Sequence, residues 1–362
     1  MNNNKILFIH PNYYSGGAQV MINIFNQLKD NSDFSCYMMF VGKSNYIQNL
    51  LNPSREIIYY KYDLLNPIFL VKLTNYILKH KINIIYTHSP ATHLLLSFMN
   101  IFLRKKLVLH IHGDFDTNYI KVIFRKMLFN LSASKIIVVS KDLRNSLINI
   151  YNIKHDKIIV VHNGVKDLSK EPIDYFLKNK LIQKYNLNDK FVLLFIGRLV
   201  KIKNLDLLIN VSSKLDDDIV FLIVGDGILK NELNLKINNM NVPKKVFLLG
   251  FLENDKINTI LSISDVFILP SFHEGISISA LEAISMSKPV LLSNVGGNPE
   301  ILINNEDLLF NINNEAEIIK KINNLKDEYY YSEKATQLYR VFLENFNIEN
   351  NANNIEQIFN KM

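Results

Sequence analysis

Short apolar runs alternate with amphipathic stretches along almost the whole chain. The runs at 5–10, 34–40, 56–60, 83–87, 106–111, 135–140 and 157–161 are rich in Ile, Val, Leu, Phe and Tyr and too short for buried helices, so they predict strands. Helical spacing falls between them, as at 17–29, 67–80 and 118–131. The plan repeats further on, with strands expected at 191–196, 219–224, 245–249, 265–270 and 288–292. Continuous apolar strands that alternate with helices predict parallel sheets covered on both faces. The chain therefore reads as α/β, with two doubly wound, Rossmann-like domains in series. The polar stretch 163–172 divides them into 1–165 and 166–340, and the tail from about 332 reads as helices, with 341–362 the last segment.

At 362 residues, 48% hydrophobic and 21% charged, the chain is globular in composition and long enough for two cores. The net charge of +7 is unevenly spread: up to Val165 there are 19 Lys and Arg against 8 Asp and Glu, and beyond it 22 against 26. A basic first half suits an anionic membrane, a phosphorylated acceptor or nucleic acid. No nucleic-acid motif accompanies it, so nucleic acid is not among the expected partners. A single cysteine, Cys36, rules out an internal disulfide and suits a reducing compartment. Residues 5–10 are too short for a signal peptide, and 94–103, the longest apolar stretch, falls far short of the roughly 20 residues of a spanning helix. The expected location is the cytoplasm, with the inner face of the cell membrane left open by the basic half. Two stretches carry that option: 119–129, which mixes large apolar residues with Lys121, Arg125 and Lys126, and the cluster Arg104-Lys105-Lys106. The alternative is a helix packed on its own sheet with a solvated basic rim.

The densest chemistry lies at 271–283. An apolar strand, 265–270, ends at Pro270, and an apolar helix is expected over 276–286. Glu274 falls in the turn between them and Glu282 about one and a half turns into the helix. Gly275 is expected to let the backbone turn tightly. The N–H groups of Ile276, Ser277 and Ile278 would then point out of the helix start, where an anion binds well. Ionised and unpaired inside so apolar a helix, Glu282 would be costly. It either pairs with a buried Arg or Lys, or it waits for a ligand at the carboxyl end of a sheet.

Three other strand ends carry candidates. Gly16-Gly17 follows the first strand, where paired glycines let a phosphate or sugar approach a helix N-terminus; a plain tight turn is the competing reading. It is not G-x-G-x-x-G and no acid is placed for a ribose, which disfavours a nicotinamide-dependent oxidoreductase. His110 and His112 alternate onto one face of the strand 106–111, with His112 at its carboxyl end, and His88 follows 84–87. No acidic residue at ligand spacing accompanies them, so no metal is expected there. Gly197-Arg198-Leu199, then Lys201 and Lys203, places cations at the edge of the second sheet, where Arg by its fork and Lys as a point charge meet a diphosphate; a solvated basic loop is the alternative. Gly225-Asp226-Gly227 is a turn in any reading.

Glu274-x7-Glu282, followed by Lys288-Pro289-Val290 and Gly296-Gly297-Asn298-Pro299-Glu300, resembles the donor-site signature of retaining glycosyltransferases of the GT-B fold, in glycosyltransferase family 4. The resemblance implies two Rossmann-like domains facing a central cleft, with C-terminal helices crossing back to the first. It makes 1–165 the acceptor domain and 166–340 the nucleotide-sugar domain. It assigns Arg198 and Lys203 to the donor diphosphate, Glu274 to the sugar hydroxyls and Glu282 to the ribose. The amides of Gly275, Ile276, Ser277 and Ile278 would meet developing negative charge, and Phe251 and Leu252 would run along the base. Gly16 and Gly17 would approach the diphosphate and the acceptor. His112 would reach the donor sugar from the opposite domain as the cleft closes, and His88 is a weaker candidate for the acceptor. Gln19 stands where Glu often follows in relatives, and Ser287 where Gly is usual. The implied activity is metal-independent hexosyl transfer with retention, from a donor that is UDP-linked in most relatives, without a cofactor. The implied acceptor is a lipid-linked or growing saccharide of bacterial surface polysaccharide. A catalytically silent subunit of an assembly complex and a nucleotide-sugar epimerase on the same fold remain as alternatives.

Overall fold

The structure is a computed structural model that describes residues 4–11, 16–30, 33–41, 57–60, 63–113, 126, 129–239 and 245–362. Its contacts divide the chain into two units, Met1–Gly164 with Ile348–Met362, and Val165–Asn347. The expected segments end at 165 and begin again at 341; the observed return point is later because a single helix runs unbroken over Glu328–Asn345 in the second unit.

The first unit is a seven-stranded sheet built from β1 (Asn4–His10), β2 (Phe34–Val41), β3 (Ile57–Tyr60), β4 (Ile84–Thr87), β5 (Lys106–Ile111), β6 (Lys135–Val138) and β7 (Ile158–Val160). Every pairing is parallel and the order is β3-β2-β1-β4-β5-β6-β7. Helices α1 (Gly16–Leu28), α2 (Pro67–Lys79), α3 (Pro90–Leu103) and α4 (Lys141–Asn149) connect the strands. The central strands β1, β4, β5 and β6 are buried along most of their length, which is why they read as continuous apolar runs. The last helix, Ile348–Asn360, packs on this unit: Phe359 meets Tyr86 and Phe8 edge to face at 5.2 and 6.5 Å.

The second unit repeats the plan with β8 (Phe191–Ile196), β9 (Ile219–Val224), β10 (Val246–Gly250), β11 (Val266–Leu269), β12 (Val290–Ser293) and β13 (Leu309–Phe310), in the order β10-β9-β8-β11-β12-β13. Two residues long, β13 is below the length at which an apolar run announces a strand. Helices α5 (Tyr175–Tyr185), α6 (Leu205–Ser212), α7 (Lys230–Asn239), α8 (Ile257–Ser262) and α9 (Ile278–Ser285) flank the sheet. No helix among the described residues is long and apolar enough to cross a membrane. Most of the amphipathic stretch 119–129, all of it but Lys126 and Phe129, lies outside the described residues, as does the loop 12–15 before Gly16.

Candidate functional site

In the second sheet, β8 and β11 are neighbours although two strands separate them in the chain. At such a switch point the connections leave in opposite directions, and a crevice opens outside the carboxyl ends. β8 leads into Gly197-Arg198-Leu199 and a single 3-10 turn, Lys201–Lys203. β11 leads into the loop that holds Glu274. The two loops meet there. Lys203 Nζ donates to Glu274 Oε1 at 2.5 Å, and Ser271 Oγ donates to the same oxygen at 2.5 Å. Only 16% and 11% of the Lys203 and Glu274 side chains are exposed, so the pair is screened far less than a surface pair. Backbone bonds fasten the frame: Phe272 N–H donates to Ile202 O at 2.8 Å, and Ser293 Oγ, at the end of β12, donates to Ser271 O at 2.7 Å.

The Gly-Gly motif explains itself against this loop. Gly297 N–H donates to Glu274 O at 3.0 Å. Gly296, at φ +52°, lies so close that a Cβ would sit 2.0 Å from that carbonyl oxygen, so no larger residue fits. The glycine whose left-handed backbone shapes this site is therefore Gly296; Gly275 turns without a positive φ. The Arg198 loop is held in the same way: a Cβ at Gly225 would lie 1.8 Å from Gly197 O. Arg198 stays exposed, and its guanidinium makes no hydrogen bond or ion pair among the described residues. A third loop joins through Gly250 O, which accepts from Gly225 N–H at 2.8 Å and leads to Phe251, 63% exposed, and half-buried Leu252.

Helix α9 is shorter than the expected 276–286. Ser277 Oγ caps it by accepting from Ala280 N–H at 3.3 Å, and Ser287 ends it in the left-handed region at φ +55°. Gly275, Ile276 and Ser277 are buried in the turn, and the amides of Ile278 and Ser279 head the helix. Glu282 follows about one turn later. No buried Arg or Lys meets it: its carboxyl has no hydrogen bond or ion pair among the described residues. Part of its surface still reaches solvent, but protein surrounds the carboxyl densely, and that burial pushes it up to about 7.

In the first unit the corresponding switch point lies between β1 and β4. Gly16 and Gly17 head α1 after β1. A Cβ on Gly17 would meet His112 Cδ2 at 3.3 Å and His10 Nε2 at 3.8 Å. His112 follows β5 and is held at both ring nitrogens, Nδ1 to Asn163 Oδ1 at 3.1 Å and Nε2 to His88 Nδ1 at 2.6 Å. With Asn163 Oδ1 as acceptor, His112 carries its proton on Nδ1, and its Nε2 accepts from His88 Nδ1–H. Both ring nitrogens of His112 are thus engaged within its own unit. His110 Nδ1 shares a 2.6 Å hydrogen bond with Tyr86 OH. The three rings lie together, with centroids 4.3 to 4.8 Å apart. Burial lowers all three, His112 to about 3 and His88 and His110 well below the usual histidine value. Read singly, these histidines carry no metal argument; the sheet order, which puts β4 beside β5, gathers them into a group able to hold an ion.

The sequence of both units matches the models of a known family. The profile described as Glycosyltransferase Family 4 matches residues 15–167, and that described as Glycosyl transferases group 1 matches residues 177–340. The chain belongs to this glycosyltransferase family. It is 29% identical over 312 residues, 80% of its length and 78% of the relative's, to the UDP-Gal:alpha-D-GlcNAc-diphosphoundecaprenol alpha-1,3-galactosyltransferase of Escherichia coli. It is 28% identical over 238 residues, 61% of its length, to an uncharacterized glycosyltransferase of Methanocaldococcus jannaschii, and the match spans 60% of that relative. Anabaena Alr3699/HepE in complex with UDP-glucose superposes with a TM-score of 0.84 over 99% of this chain and 100% of its own, at 18% identity. The architecture is the GT-B fold of this glycosyltransferase family.

Proposed function

We propose that this family 4 chain transfers a hexosyl group from a UDP-sugar to a hydroxyl of a lipid-linked saccharide, with retention at the anomeric carbon and without a metal ion on the diphosphate. One observation carries the reading: Lys203 and Glu274 pair at the β8/β11 switch point, beside exposed Arg198 and the start of α9. A nucleotide sugar carries its hydroxyl-rich ring next to its diphosphate. A carboxylate joined to an ammonium suits that junction, Glu274 accepting from sugar hydroxyls and Lys203 with Arg198 facing the phosphates. The amides of Ile278 and Ser279 add fixed donors for growing negative charge. Glu282, buried and unpaired, would accept from the ribose hydroxyls.

In the transfer, the bond from the anomeric carbon to the diphosphate oxygen breaks and its electron pair leaves on that oxygen. The acceptor hydroxyl bonds to the same face, and its proton passes to the departing diphosphate. The Escherichia coli relative, by its name, uses UDP-Gal and a diphosphoundecaprenol-linked acceptor, which supports a UDP donor and a lipid-linked acceptor here. We assign the acceptor to the first unit. There Phe98, Ile101 and Phe102 stand exposed on α3, beside Arg104, Lys105 and Lys106, and this face supports contact with an anionic membrane surface.

The test is turnover of UDP-sugars with diphosphoundecaprenol-linked saccharides, reading the product's anomeric configuration by NMR. The α-linked donor should give an α-linked product, at a rate unchanged by added Mg2+ or Mn2+. Lys203→Met should lower kcat/KM about 100-fold or more. An inverted product, or full activity in Lys203→Met, contradicts the reading.

A further inference from the structure

We propose that His88, His110 and His112 form a transition-metal site in the first unit, for Zn2+ or another imidazole-preferring divalent ion, with one coordination position left open. The three come from the carboxyl ends of adjacent strands. Tyr86 and Val108 are register partners, as are Thr87 and Leu109, so His88 follows directly beside His110, and His112 lies two residues on along the same face. One ligand atom from each lies within 4.8 Å of the others. A tetrahedral ion with bonds of 2.0–2.1 Å needs ligand atoms about 3.3 Å apart, so the rings would close by roughly 1.5 Å at the longest edge.

Two of the three rings already have the outer partner a metal site needs. A coordinating imidazole hands its other nitrogen's proton to an oxygen acceptor, which fixes the tautomer and turns the lone pair inward. Asn163 Oδ1 does this for His112 Nδ1, and Tyr86 OH can do it for His110 Nδ1. The nitrogens left over are conspicuous. His88 Nε2 and His110 Nε2 are both buried and have no partner in hydrogen-bond geometry among the described residues, although the His88 ring lies against the Gly17 backbone. A buried ring nitrogen without a partner forfeits its hydration with nothing in return. An ion would displace the hydrogen bond from His88 Nδ1–H to His112 Nε2, so that His112 coordinates through Nε2 while its Nδ1–H stays on Asn163. With three imidazoles and no carboxylate, the donor set favours Zn2+, Co2+, Ni2+ or Cu2+ over Mg2+ or Mn2+. The site is thus distinct from a diphosphate counter-ion, and three protein ligands leave a position for water or a ligand oxygen.

The experiment reads ion binding, so it stands apart from sugar transfer. The full chain, with any affinity tag removed, is stripped with chelator and titrated with Co2+ and with Zn2+. The expected result is one equivalent of Co2+ per chain, with the visible d–d bands of a four-coordinate N-ligated ion, displaced by Zn2+ and not by Mg2+. His88→Gln and His110→Gln should each weaken binding at least tenfold. In the wild-type chain, one equivalent of Zn2+ should move the ring 15N resonances of these three histidines, a readout that needs no variant to fold. The proposal is overturned if the wild type binds no more ion than the His88→Gln/His112→Gln double variant, or if the ion moves only other histidines.

Discussion

At Glu282 a carboxyl is buried without a partner, and its protonation sets two opposite pH dependences. Its folded value, about 7, lies above the ordinary 4.5. Between those values the folded chain holds a proton that the unfolded chain has lost, so stability falls as pH rises from about 4.5 to 7 and levels off above. The loss amounts to about 3 kcal/mol at most. Glu282→Gln removes it: in thermal unfolding the variant should exceed the wild type at pH 8 and match it near pH 4. Ribose hydroxyls prefer the ionised acceptor, so nucleotide affinity should climb as pH rises through 7 in the wild type and stay flat in the Gln variant. Calorimetric titration between pH 6 and 8 decides this, and equal pH profiles would remove Glu282 from the site. Ser287 is simpler. It sits left-handed at the end of α9, a conformation that glycine adopts more readily, and Lys288 N–H reaches Ala283 O at 3.0 Å. The strain remains in the backbone. Ser287→Gly should raise stability by about 0.5–1 kcal/mol in denaturant unfolding, with no change in turnover.

Among the elements, backbone contacts fasten the loops after β8, β11 and β12 together: Phe272 N–H donates to Ile202 O, and Gly296 lies against Glu274 O where only glycine fits. Gly296→Ala tests that coupling. The added methyl would overlap Glu274 O and force the carboxylate away from Lys203. It should destabilise the chain by roughly 2–4 kcal/mol and raise the donor KM more than it lowers kcat. An unaltered KM would mean that the loop is not part of the donor site. The sequence made these loops visible in part. Strands of a doubly covered parallel sheet are plain apolar runs, so Arg198, Lys203, Glu274 and His112 could be set at strand ends from spacing alone. What those residues touch could not be read. The Lys203–Glu274 pair joins positions 71 apart, and the histidine group exists only because β4 lies beside β5. Gly296 was visible as a motif, while its cause, the Glu274 carbonyl, lies 22 positions earlier in the chain. The apolar pattern overruns helix α9 because a serine can cap one end and turn left-handed at the other, and neither act shows in hydrophobic periodicity.

Taken whole, the chain is two parallel sheets of similar plan, each with its candidate chemistry at the switch point of its strand order. A nucleotide sugar needs such a place, since open carboxyl ends offer helix starts, glycine turns and charged loops together. The basic first unit and its exposed Phe98, Ile101 and Phe102 should bind vesicles with anionic lipid and release them at high salt. Equal binding to neutral vesicles would contradict that role. The central claim is that the second unit's switch point receives a nucleotide diphosphate, and one measurement addresses it directly. The full chain is unfolded thermally with UDP, GDP, ADP and UDP-sugars, beside Glu282→Ala. A ligand at about 100 times its dissociation constant stabilises the fold by roughly 2.7 kcal/mol. The account expects a shift of that size with UDP and a UDP-sugar, abolished or strongly reduced in Glu282→Ala. No shift with any nucleotide, or an equal shift in the variant, would contradict it.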